Sequence, residues 1–175
     1  MRNDISLELA SRLTEQVKTA FENGSLLDAV TPVTQDLLKF WFMGPYTEER
    51  SKNFHEGQKQ SILNIIYLHE VLQVTTVEEI YRQVAPDLLA ECNLSDLAKE
   101  KYRIPKYAVK MATGTGKTWV MHALLLWQLL NGRHEEQEER SGRYTQNFLI
   151  VAPGLIVYDR LKDAYCGRLK ENLSL

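Results

Sequence analysis

The stretch Met111-Ala-Thr-Gly-Thr-Gly-Lys-Thr118 decides how the rest of this chain is read. It stands between a short apolar run, Tyr107 to Met111, and a longer one, Trp119 to Leu130, that has the length of a helix. A glycine turn between a strand and a helix is the context in which such a sequence cradles phosphate. Each residue type has a reason to be there. Gly114 and Gly116 let the backbone wrap closely and aim successive amide N–H groups at phosphate oxygens, and the following helix adds its positive end. Thr113 and Thr115 complete the turn. Lys117 offers a point charge to the β and γ phosphates, and Thr118 offers a hydroxyl to a metal ion between them. The strict GxxxxGK[ST] expression asks for glycine at position 111, where this chain has methionine. A glycine turn that merely caps a helix is the competing reading, and the Gly-Lys-Thr triplet with its flanks weighs against it.

Downstream, Asn131-Gly132 is expected to close the helix, and Arg133 to Arg143 reads as charged and solvated. Asn147 to Ala152 is a continuous apolar run broken by Pro153-Gly154, and helical periodicity resumes from Ile156 to Lys170. The order is therefore strand, helix, strand, helix. A βαβ unit buries its strands on both faces, which explains two unbroken apolar runs where alternation would otherwise be expected.

Upstream, the pattern is helical. Ile5, Leu9, Leu13, Val17 and Phe21 recur every four residues and end at Asn23-Gly24. A second helix follows Pro32, runs over Thr34 to Met43 and finishes in Phe40-Trp41-Phe42, a trio read as core. Gly44-Pro45 breaks it. Phe54-His-Glu-Gly-Gln58 opens a helix extending to about Gln73, Thr75 or Thr76 caps another whose first turn holds Glu78 and Glu79, and Pro86 begins a weaker one through Leu97.

Composition bounds the function. At 175 residues, 44% hydrophobic and 25% charged, the chain can bury an ordinary core. Its longest apolar stretch, Ala123 to Leu130, is far short of the ~20 residues of a membrane span, and the acidic start is unlike a secretory signal; a cytoplasmic location without membrane partners is expected. A net charge of −2 argues against a broad basic surface for nucleic acid. A motor that grips the backbone through a few loops is still compatible with it. Cys92 and Cys166 form no CxxC pattern, and the four histidines show no ligand spacing.

The Met-Ala-Thr-Gly-Thr-Gly-Lys-Thr sequence resembles motif I of superfamily 2 helicase-like ATPases, in particular the type III restriction enzyme Res (motor) subunit group. Asn147 to Leu161 is similar to that group's motif Ia, and Val33 to Phe42 has the look of its N-terminal region. The resemblance implies an α/β fold, a P-loop (RecA-like) parallel-sheet fragment preceded by an α-helical N-terminal region. The domain plan is then 1–50 for the helical region, 51–106 for a helix with Gln58 and a helical insertion, and 107–175 for the first part of motor lobe 1.

The implied function is the ATP-binding N-terminal part of a DNA-dependent ATPase or translocase. Thr113 to Thr118 would hold ATP and Mg2+, with Lys117 and Thr118 also catalytic and Thr118 on the metal. Gln58 would meet the adenine edge, with Phe54 beside the base. Pro153, Gly154 and Leu155 would contact the backbone of duplex DNA, beyond the carboxyl end of a strand. Implied partners are a downstream motor lobe and a modification subunit of a restriction complex. Hydrolysis in the family needs an Asp and Glu after a third strand, and no such pair is found up to Leu175. Two other readings remain at this point: a P-loop small-molecule kinase or phosphotransferase, and a truncated, non-catalytic interaction module.

Overall fold

Apolar residues on one face make Ile5–Glu22 the first helix, α1, which buries Leu13 and Val17. The computed structural model describes residues 5–92, 106–139, 142–152 and 154–166. Gly24 turns the chain with φ 83° into α2, Ser25–Ala29. In α3, Pro32–Phe42, proline occupies the first turn and the Thr31 hydroxyl accepts the Thr34 N–H at 3.2 Å. A short α4, Tyr46–Glu49, precedes α5, Glu56–Ile66, which continues without a break as a π-helical turn over Tyr67–Val71. Thr76 and Glu79 form a reciprocal capping box at the start of α6, Val77–Val84, and Pro86 begins α7, Pro86–Leu89. The glycine loop 113–116 leads into α8, Lys117–Gln137, and α9 spans Leu155–Cys166.

The core lies around α5. Its fully buried Ile62, Leu63 and Ile66 share one apolar cluster with Val17 of α1, Leu38 of α3 and Val120, Ala123 and Trp127 of α8; α5 packs directly on α1 and α8, and α3 packs on α8. Complete burial of each large aliphatic side chain contributes roughly 1.5–3 kcal/mol. Inside this apolar volume sits a polar cluster. Glu70, on the π turn, accepts from the Thr31 N–H at 2.8 Å, from the Thr34 hydroxyl, and from the Trp127 indole at 2.6 Å. The Asn131 amide donates to the Thr34 hydroxyl at 2.9 Å. The wide π turn aims Glu70 inward, and its bonds join α3, α5 and α8. Tyr144 lies beside the cluster, where burial first and Glu70 second push its phenol well above the usual range.

The expected parallel α/β sheet is not formed: among the described residues no strand is present. Tyr107 to Met111 and Asn147 to Ala152 run as single irregular segments, and both line one apolar cavity of about 720 Å3 against α8. A strand exists only through the N–H and C=O groups of a neighbour. An apolar run records suitability for burial and does not by itself supply that neighbour. Leu149 and Val151 are accordingly 89% and 81% exposed.

A second correction concerns α8, which passes through Asn131-Gly132 to Gln137. Asn131 is buried and bonds the Trp127 carbonyl at 2.9 Å, so its amide serves the interior. Gly132 is pressed against Gln146, whose Cγ would stand 3.0 Å from an added Cβ. Close approach, not helix termination, accounts for that glycine. Among the described residues no helix is long and apolar enough to cross a membrane.

Candidate functional site

The glycine loop, Thr113 to Gly116, is a tight turn closed by the Thr115 hydroxyl and N–H on the Ala112 carbonyl, at 2.7 and 3.4 Å. Gly114 and Gly116 have φ of 83° and 73°, in the left-handed region that side-chain-bearing residues rarely adopt. Gly116 caps α8 without a side-chain hydrogen bond, and the first turn of α8 holds no acidic residue. The amide groups at this helix start thus keep their positive end unshielded by any carboxylate of their own. Lys117 extends back over the loop and donates from Nζ to the Ala112 carbonyl at 2.9 Å. Thr118 follows it in the same exposed turn.

Gln58 reaches this loop across 57 positions of sequence. Its side chain is 6% exposed, and its Nε2 donates to the Thr115 carbonyl at 3.0 Å and the Gly116 carbonyl at 3.3 Å. Its Oε1 accepts the His55 N–H at 3.0 Å, closing the capping box of α5. The contact is tight: a Cβ on Gly116 would lie 2.3 Å from the Gln58 Nε2. In this structure the amide expected at an adenine edge lies on the loop backbone.

Sequence reasoning missed His55. Its Nδ1 caps the Gln58 N–H at 3.4 Å, and its Nε2 meets the Thr115 carbonyl at 2.9 Å. A carbonyl oxygen only accepts, so Nε2 carries the hydrogen and Nδ1 the lone pair. The available signal was its place three residues before Gln58, where a helix cap belongs. Phe54 is held in an aromatic row, edge-on to Trp41, Phe42 and Trp119 at 6.2, 5.5 and 5.7 Å. Trp119, one turn into α8, is half exposed beside the loop.

The second expected contact lies elsewhere on the surface. Gly154 has φ 91° and leads into α9, whose first residues Leu155 and Ile156 are exposed. Pro153 lies outside the described residues. The His122 ring packs on Tyr165 at 4.6 Å, joining α8 to α9. Among the described residues no three His, Cys, Asp or Glu side chains form a metal cluster.

These features can be set beside known proteins. No curated protein and no solved structure matches the chain. The family model described as "Type III restriction enzyme, res subunit" matches residues 51–174, which span the α5 cap with His55 and Gln58, the glycine loop, and Gly154 with the start of α9. That match covers well over half of the sequence, so the chain belongs to the type III restriction enzyme, res subunit family, a family of helicase-like ATPases.

Proposed function

We propose that Thr113 to Thr118 bind the triphosphate of ATP with Mg2+, and that this binding serves DNA-dependent translocation in a restriction complex. The observation that carries the reading is the conjunction at one turn: two left-handed glycines, an uncapped start of α8, and a lysine whose ammonium rests on a loop carbonyl with no carboxylate partner in any described ion pair. An incoming anion would draw Lys117 from Ala112 to its own oxygens, exchanging a neutral acceptor for a charged and stronger one. The Thr118 hydroxyl is an oxygen donor of the kind that would hold a magnesium ion here, and the ion would supply positive charge against the phosphates.

Gly154 and Leu155, with Pro153, form the proposed contact to the DNA backbone. The exposed start of α9 after a left-handed glycine supports it, because backbone amides there can face a phosphate without reading bases. The remaining partners in this proposal are a second motor lobe and a modification subunit.

Calorimetric titration with Mg-ATP tests the reading. Lys117→Ala should abolish binding and His122→Ala should leave it intact. Equal affinity in the two variants, or no uptake by the unsubstituted chain at millimolar nucleotide, would refute it.

A further inference from the structure

The interaction between α5 and the phosphate loop has a directional consequence. A trans peptide is planar, so its C=O and the following N–H point to opposite sides. The Thr115 carbonyl is held by two donors, the His55 Nε2 at 2.9 Å and the Gln58 Nε2 at 3.0 Å, which together use both of its lone pairs. This fixes the Thr115–Gly116 peptide plane and turns the Gly116 N–H away from α5. The Gly116 carbonyl is held by Gln58 at 3.3 Å and by the Trp119 N–H at 2.9 Å, which fixes the Lys117 N–H in the same manner.

We infer that His55 and Gln58 are positioning residues that preset the Gly116 and Lys117 amides for a polyphosphate chain, so that this contact tunes affinity for the phosphate tail irrespective of the base. The inference rests on the phosphate-loop reading above and deepens it. Both hydrogens of the Gln58 amide are engaged on loop carbonyls and its oxygen on the His55 N–H. An amide in that state has no free donor for a purine edge. His55 contributes from the same side, and its ring is locked in one tautomer by the two groups it meets. Preorganised amides bind an anion more tightly because the loop need not be ordered when the ligand arrives.

The test is a ligand series. Mg-ATP, Mg-GTP and magnesium tripolyphosphate are titrated into the unsubstituted chain, His55→Ser, Gln58→Met and Lys117→Ala. Serine is a good helix cap but too short to reach Thr115, so His55→Ser keeps α5 and removes the long contact. Methionine keeps the buried volume of Gln58 without its donors. Each of the two clamp variants is expected to weaken all three ligands alike, by about fivefold to tenfold, with an unchanged far-UV spectrum. A loss confined to ATP would overturn the inference and assign Gln58 to the base. Unchanged affinities for all three ligands would overturn it as well. If Gln58→Met fails to fold, the exposed His55 still decides the matter through His55→Ser. Absence of binding by the unsubstituted chain would overturn the phosphate-loop reading itself, whereas binding that Lys117→Ala loses and both clamp variants keep would overturn only the clamp.

Discussion

The indole N–H of Trp127 donates to the carboxylate of Glu70 at 2.6 Å, tying the helix that follows the glycine loop to the π turn of α5. Glu70 is 4% exposed; the oxygen that meets the indole also accepts from the Thr34 hydroxyl, and its other oxygen accepts the Thr31 N–H. Removing the carboxylate takes an acceptor from three donors at once, of which the indole N–H alone keeps another, the Thr34 hydroxyl at 3.0 Å. Glu70→Ala should therefore destabilise the fold by about 3 kcal/mol or more, while Trp127→Phe, which deletes one donor and keeps a ring, should cost about 1–2 kcal/mol. Urea midpoints measure both. Equal losses in the two variants would mean that Glu70 does not bind the three helices together.

Acid should weaken the protein through His69. Burial, and then the nearby Arg143, lower its pKa from the ordinary 6.5. The folded state thus holds fewer protons than the unfolded state once the pH falls below about 6.5. The stabilisation is complete above that value and is lost progressively as pH drops toward the lower folded value. His69→Phe keeps the edge-on packing against Trp127 but has no proton to take up. Its melting temperature should fall less between pH 7.5 and 5.5 than that of the unsubstituted chain; parallel declines would clear His69 of the effect.

Gly116→Ala should damage the loop for two separable reasons. The φ of 73° strains any residue with a Cβ, and that Cβ would collide with the Gln58 amide. Gly114, at φ 83°, has open space around its missing Cβ. Gly114→Ala should carry only the backbone strain of about 1 kcal/mol, and Gly116→Ala should lose more. Thermal unfolding of the pair gives the difference, and adding Gln58→Ala to Gly116→Ala should recover part of it. No recovery in the double variant would count against the collision.

At position 132 two effects oppose each other. Alanine favours a helix interior over glycine by about 1 kcal/mol, yet its methyl would stand 3.0 Å from the Gln146 Cγ, a flexible side chain that can shift. Gly132→Ala should be close to neutral and Gly132→Val should destabilise by about 1–3 kcal/mol through crowding. A valine variant as stable as the alanine one would show that Gln146 moves aside freely.

Much of the helical frame was legible in the sequence because it rests on local signals. The period-four pattern from Ile5 to Phe21 gives α1, Pro32 opens α3, and Thr76 with Glu79 caps α6. The glycine loop 113–116 was legible as a turn leading into a helix for the same reason. The sheet was not, because the apolar runs 107–111 and 147–152 specify burial, while pairing depends on groups distant in sequence. Asn131-Gly132 misled for a related cause: a helix end and a close tertiary approach use the same residues. The place of Gln58 on the loop depends on packing between α5 and α8, which no local pattern encodes.

The π turn over Tyr67–Val71, closed by the Leu72 N–H on the Tyr67 carbonyl at 2.9 Å, amounts to one residue more than an α-helix of that span would hold. Excising a single residue there would let the turn close with ordinary α-helical winding, in which adjacent side chains splay by about 100°. His69 and Glu70 could then no longer both face Trp127. The extra residue widens the last turn of the helix so that two adjacent side chains meet the same indole.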